Sequence, residues 1–255
     1  MNRYQQLINA ALLCTLSYTS LGDSLVDEAA TSVGFSVIKT ASTGLTPEAV
    51  LVEGGSWFKL RQLAQNAVLI RHPKGDVLID TGLGKNIHEQ FEENDFLDRQ
   101  LFRFEALNPV HSQLQDASYN PNNISKIIPT HLHWDHASGI EDFLGVPVWI
   151  QTPSLEEAMQ GEPPGFVLSQ YDDERINWKM SELTDGPYQG FGKSKDIYGD
   201  KSAVLVDLSR HTYGQFGLFL NLDNGERYFF IGDTTWVLEG IEENQPRPNI
   251  VQWLV

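Results

Sequence analysis

Residues 130–136 read Thr-His-Leu-His-Trp-Asp-His and follow a short apolar run at residues 124–129. Three of the chain's seven histidines fall in this window, in the pattern H-x-H-x-D-H, and chance placement does not account for such density. In extended backbone, residues two apart point to the same side, so His131 and His133 can present their imidazoles to one cation. Asp135 and His136 are adjacent and turn away as the chain enters a helix, which suits them to a second cation beside the first. Neutral imidazole and carboxylate are the ligands expected of Zn²⁺ or a similar borderline divalent metal. The competing reading is a histidine-rich strand end held by hydrogen bonds. It would bury three imidazoles and a carboxylate together without a cation, at a large desolvation cost. Cys14 is the only cysteine, so thiolate clusters and intrachain disulfides are excluded and any metal must be held by His, Asp or Glu.

The runs around this motif predict an α+β chain with mixed sheets. Residues 34–40 alternate as a strand. Residues 66–71, Pro73-Lys74-Gly75 and residues 76–80 read as a β-hairpin whose arms are too apolar for the surface. Phe96, Leu97, Leu101, Phe104 and Leu107 recur at helical spacing, and helices over 85–91 and 95–107 are expected to pack on a sheet. Strands follow at 124–129 and 146–150, and a helix is expected to begin at Ser154 with Glu157 as its capping-box partner. Residues 161–200 are rich in Gly, Pro, aromatic and charged residues, a loop-rich insertion of the kind that forms a lid or binding wall. There Phe166, Tyr171, Trp178, Tyr188 and Phe191 offer either an apolar substrate wall or anchors for the loop. Strands resume at 203–208, 216–222 and 227–231, the last two joined by a turn at Asp223-Asn224-Gly225. His72 at a hairpin turn, His88 on a helix and His111 in a loop are expected in solvated or capping roles.

The 255 residues carry 18 Lys+Arg against 34 Asp+Glu, a net charge of −16. Such a chain repels phosphate backbones, which excludes a broad nucleic-acid surface and favours a neutral small molecule over a strongly anionic one. No stretch after residue 30 approaches the roughly 20 apolar residues of a membrane span, so no transmembrane anchor is expected. Residues 1–22 read as a possible export signal: Arg3, an apolar run at 7–16, then Ser17, Ser20 and Gly22. A periplasmic or secreted location is therefore expected, the alternative being an ordinary amphipathic helix on a cytoplasmic protein.

The stretch from Thr130 to Gly139, T-H-x-H-x-D-H-A-S-G, follows Val77-Leu78-Ile79-Asp80-Thr81-Gly82, and together they resemble the metallo-β-lactamase fold superfamily of metal-dependent hydrolases. The resemblance runs from about residue 34 to residue 255. It implies a four-layer αβ/βα sandwich with two divalent metal ions, zinc foremost, at the edge where the loops of both sheets meet. It implies also that hydroxide formed there attacks an ester, lactone or thioester of a small-molecule substrate. By the same resemblance, Asp80 organises the site from behind the ligands, His211 completes the first metal's set with His131 and His133, and Asp233 bridges to a second metal held with Asp135 and His136. Asp135 and Asp233 are the carboxylates placed closest to the chemistry. Lactonase-like, glyoxalase-II-like and phosphodiesterase-like members carry an aspartate at the place of Asp233, whereas true β-lactamases do not usually.

Two departures from the family pattern bear on function. Lactonases of acyl-homoserine lactones typically carry a tyrosine three residues after the bridging aspartate, where this chain has Trp236. Tyr213, Tyr171 or Tyr188 could supply a phenol from another loop; Trp134, Tyr213 and Trp236 are the candidate pocket residues, with packing under the loop the equal alternative for Trp134. The family also has a final histidine several tens of residues past that aspartate, and here no histidine follows His211. The expectation is a truncated chain lacking its C-terminal elements, the alternative being a second metal held by Asp135, His136, Asp233 and water. A phosphodiesterase, a di-iron oxidoreductase of the same fold and an inactive remnant stay open as alternatives, and the oligomeric state is not legible.

Overall fold

The structure, a computed structural model, describes residues 30–248; the possible export signal at 1–22 and residues 249–255 lie outside the described residues. Along the chain run β1 (Gly34–Thr43), β2 (Thr46–Pro47), β3 (Leu60–Arg61), β4 (Ala64–Arg71), β5 (Asp76–Ile79), β6 (Phe104–Glu105) and β7 (Ile124–Ile128). They are followed by β8 (Pro147–Ile150), β9 (Asn177–Met180), β10 (Ser194–Asp196), β11 (Ala203–Asp207), β12 (Phe216–Asn221) and β13 (Arg227–Phe230). One mixed sheet has the order β6-β1-β4-β5-β7-β8-β9, a second the order β10-β11-β12-β13, and β2 pairs with β3.

The arms of the predicted hairpin are apolar throughout because both of their faces are covered. Successive side chains of a strand point to opposite sides. Ala67, Leu69, Leu78 and Ile127 face a core closed by the helices Val110–Asp116 and Thr152–Gln160, through Val110, Leu114, Leu155 and Ala158. Val68, Ile70, Val77, Ile79 and Ile128 face Phe216, Leu218 and Leu220 of the second sheet. On the outer side of that sheet, where the family pattern leads one to expect a further helical layer, Phe219 stacks on Phe229 at 4.0 Å, with Tyr188 and Phe191 edge-on and tilted against them.

Strand direction decides where the chemistry sits. β5, β7 and β8 are parallel, so the segments after them, beginning with Asp80 and His131, leave the sheet at one edge. β12 is antiparallel to β11 and β13, so the loop bearing His211 and the end of β13 before Asp233 also share one edge. A hydrogen bond from Phe216 N–H to the Thr130 carbonyl, 2.8 Å, joins the two edges.

Several expected elements take another form. Of the helices expected over 85–107, Ile87–Gln90, a 3₁₀ turn at Phe91–Glu93 and Phe96–Leu101 are present, and Phe96, Leu97 and Leu101 are exposed rather than packed on a sheet. The chain beyond is drawn into β6 by pairing with the edge of β1, and tertiary pairing overrides the local period. Phe91, Phe102, Phe104 and Leu107 pack around Trp134 instead. The helix assigned to Ser154 begins at Thr152 with Pro153 in its first turn, where a missing N–H costs nothing; Ser154 is buried and caps nothing. Residues 161–200 contain β9, which extends the first sheet beside β8, and β10. His111 lies on the helix Val110–Asp116 rather than in a loop.

Of the two roles expected of His72, the capping one is found: it is buried, not solvated, and caps the hairpin turn. Its Nδ1 accepts the Lys74 N–H at 3.0 Å, Tyr198 stacks on it at 3.6 Å, and Nε2 lies 3.2 Å from Ser202 Oγ. Burial pushes its pKa below the ordinary 6.5, with Asp200 only partly opposing. The folded protein thus resists a proton that the unfolded chain accepts, so the contribution is complete above about pH 6.5 and is lost as pH falls below it. The variant His72→Gln is expected to flatten the decline of unfolding free energy between about pH 7 and 5, measured by urea titration. Parallel curves for the two proteins would refute the assignment.

Candidate metal centre

Asp80 follows β5 with φ of 54°, a left-handed conformation that costs a non-glycine residue energy and is kept where surrounding contacts enforce it. Here those contacts are hydrogen bonds to the H-x-H-x-D-H segment. Thr130 N–H donates to Asp80 Oδ1 at 2.6 Å, the Thr130 hydroxyl reaches both carboxylate oxygens at 3.1 Å, and His136 Nδ1 donates to Oδ2 at 2.9 Å. The neighbouring Thr81 holds the His136 carbonyl with its N–H and hydroxyl, at 2.9 and 2.8 Å. Gly232, before Asp233, has φ of 52°, and a Cβ there would lie 3.0 Å from Thr130 Oγ1, so glycine lets the end of β13 close on the motif.

These bonds set the imidazole tautomers. The Thr130 hydroxyl donates to Asp80, so at 3.1 Å it accepts from His131 Nδ1–H, which leaves the Nε2 lone pair of His131 free to point inward. That Nε2 and the Nε2 of His211 are buried without a hydrogen-bond partner. Ring centroids of His131, His133 and His211 are 4.5–4.9 Å apart. Burial depresses the pKa of His131 and His133 well below the ordinary value and brings His211 to about 4, which keeps all three neutral. Neutral imidazoles converging on one point with unsatisfied nitrogens fit a borderline divalent cation.

A second set adjoins the first. Donor atoms of His131, His133 and His211 lie within 4.8 Å of one another, as do those of His131, His136 and Asp233. His136 Nε2 is 3.1 Å from Asp233 Oδ1 and 3.9 Å from Asp135 Oδ1. Burial alone would depress His136, but the carboxylates of Asp80, Asp233 and Asp135 outweigh it and hold the ring protonated. Burial pushes the Asp135 carboxyl up to about 6, with the His136 charge opposing. The structure thus gathers Asp80, His131, His133, Asp135, His136, His211 and Asp233 at one edge.

The pocket candidates fare differently. Trp134 does not line the cleft; it is buried against Phe91 and Phe104, beneath the motif. Tyr213 is exposed and lines the cleft beside His133. Trp236 donates its indole N–H to Asp233 Oδ2 at 2.7 Å. Tyr171 is fully buried with its hydroxyl on the Leu132 carbonyl, and Tyr188 sits on the outer aromatic cluster, so neither phenol reaches the centre. Of the five aromatic residues noted in 161–200, Phe166 packs against His133, at 4.8 Å.

Sequence reading missed Arg247, which lies between Pro246 and Pro248 with no local signal of a role. Its guanidinium rests 5.0 Å from the Trp236 ring and donates to His211 Nδ1 at 2.8 Å. A guanidinium only donates, so His211 accepts at Nδ1 and carries its hydrogen on Nε2; ligation through Nε2 requires the other tautomer and release of this contact.

A model of the metallo-beta-lactamase superfamily matches residues 60–239. The chain belongs to that superfamily. Among curated proteins it is similar to the N-acyl homoserine lactonase AiiA of Bacillus thuringiensis subsp. kurstaki, 23% identical over 191 residues, 74% of this chain and 70% of the relative. It is also similar to the N-acyl homoserine lactonase AttM of Rhizobium radiobacter, 22% identical over 134 residues, 51% of this chain and 49% of the relative. Its fold matches a solved N-acyl homoserine lactone hydrolase with N-hexanoyl-L-homoserine at its catalytic metal centre, with TM-score 0.69, 18% identity and coverage of 89% and 85% of the two chains. A probable metal-dependent hydrolase from Staphylococcus aureus matches with TM-score 0.58 and 15% identity over 79% and 73%. Fold class and family are therefore as the motif led one to expect.

Replacing Asp80 by Ala removes the group that orients His136 and, through Thr130, His131. Zinc affinity is expected to fall about 10–100-fold, measured by competition with a chromophoric chelator. Unchanged affinity would refute the orienting role.

Proposed function

We propose that the chain hydrolyses a carboxylic ester, lactone or thioester of a small molecule at a dinuclear zinc centre. His131, His133, His211 and Asp233 would hold one ion, and Asp135, His136 and Asp233 the other. The observation that carries this reading is the convergence of neutral imidazoles, two with buried unpartnered Nε2 atoms, next to a carboxylate-flanked histidine. Similarity to N-acyl homoserine lactonases supports a small ester-type substrate.

When bound, such cations supply Lewis acidity to the attacked oxygen and bring the acidity of water close to neutral pH. The chain's own side chains do the positioning. Thr130 fixes the tautomer of His131, Asp80 fixes the ring orientation of His136, and Trp236 holds Asp233 Oδ2 so that Oδ1 faces His136. Phe166 and Tyr213 wall the cleft that opens beside His133, and Tyr213 is the one phenol among its lining residues. No helix of the described residues is long and apolar enough to cross a membrane.

A panel of an acyl-homoserine lactone, a thioester, an aryl ester and a phosphodiester tests the reading. Turnover of at least one of the first three is expected, abolished by chelation, restored by Zn²⁺, and reduced by more than about 10³-fold in the double variant His131→Ala/His133→Ala. Faster turnover of the phosphodiester than of any ester, or undiminished turnover in the double variant, would reject it.

A further inference from the structure

The cleft that opens beside the metal centre has a charge pattern of its own. Its volume is ≈ 580 Å³, within the range of small-molecule sites. His133 lies on its wall, 5% exposed. Phe166 and Tyr213 give it aromatic sides. Among the described residues, the charged side chains that line it are Glu156, Glu157 and Glu162, with no Lys or Arg beside them. Glu157 is fixed: its Oε2 accepts the Tyr213 N–H at 2.8 Å, which joins the helix Thr152–Gln160 to the loop that carries His211. A substrate whose reacting bond lies at the metal centre and whose body occupies this cleft lies along these carboxylates.

We propose that Glu156, Glu157 and Glu162 determine specificity, selecting ester-type substrates whose group remote from the scissile bond is cationic or neutral and rejecting those that carry a carboxylate or phosphate there. The inference rests on the hydrolase reading above. A cleft lined by one sign of charge focuses field lines and favours ligands of the opposite sign by 10-fold or more at low salt. The chain's overall charge acts in the same direction, but the two causes separate cleanly. Three Glu→Gln changes move the net charge only from −16 to −13, so a preference due to the whole surface would largely survive them, whereas one due to the cleft would not.

The test uses the zinc-loaded protein and three aryl esters with the same leaving group, ending on the acyl side in trimethylammonium, tert-butyl or carboxylate. At low ionic strength kcat/KM for the cationic ester should exceed that for the anionic one by about 10-fold or more, and the ratio should shrink as salt is added. In Glu156→Gln/Glu162→Gln, which leaves the Glu157 contact intact, the ratio should fall at least threefold, and in the triple variant with Glu157→Gln it should approach unity. Retention of the native ratio in both variants, or a native preference for the carboxylate ester, overturns the proposal. If none of the three esters turns over, the hydrolase reading fails separately, and the cleft is judged by calorimetric binding of the three corresponding amides. A tenfold tighter cationic amide then supports the selection, and equal affinities overturn it.

Discussion

The carboxylate of Asp80 is the point on which the site depends. It takes four hydrogen-bond contacts, from the Thr130 N–H, from the Thr130 hydroxyl at both oxygens and from His136 Nδ1, at a position where the backbone is in the left-handed region. Strain at one residue is tolerated because the contacts around it leave no other arrangement. The consequence reaches two residues that Asp80 does not ligate with: Thr130 turns its lone pair to His131, and His136 turns its Nε2 towards Asp233. One buried acid thus decides the tautomer of His131, through Thr130, and the ring orientation of His136 on the adjoining side of the centre.

Such a hub needs a rigid base, and the doubly covered strands provide it. β5 and β7 end side by side in a parallel pair that is buried on both faces. A slip by one residue would exchange their side chains between two differently packed cores. The second sheet is tied to the same edge through Phe216 and Gly232, so His211 and Asp233, 22 residues apart, arrive where His131 already points. The insertion at 161–200 serves this base as much as the cleft: Tyr171 holds Leu132 from below and Gly165 accepts the Trp134 N–H, while Phe166 faces the opening.

Much of this was legible because it is local. The H-x-H-x-D-H spacing, the apolar run before it, the hairpin at 64–79 and the Asn224-Gly225 turn each state their role within a few residues. Helical periodicity at 95–107 misled because the pairing of Phe104 and Glu105 with β1 competes with it, and that pairing is set by residues some 60 positions away. Trp134 is open in the sequence between pocket and packing, and the structure takes the packing alternative. Its place between two ligands allows exposure to substrate, but a helix beginning at Trp134 turns that side chain inward, against Phe91 and Phe104. Trp236, read as a lost phenol, proves to carry a donor of its own that is directed at Asp233 rather than at the cleft.

The sequence by itself determined the donor chemistry: imidazoles and carboxylates in a chain with a single cysteine, on a strand end, with an acidic balance. Ligand type and spacing follow from residue identity and the two-residue period of a strand, which need no distant information. Only the tertiary structure decided which nitrogen of each histidine faces inward, that Arg247 lies against His211, and that the acidic side chains among the described residues lining the cleft beside His133 are Glu156, Glu157 and Glu162. Those facts depend on side chains from several loops meeting at one edge. Burial and hydrogen-bond partners arise only when the sheets pack, so no local pattern of residues records them.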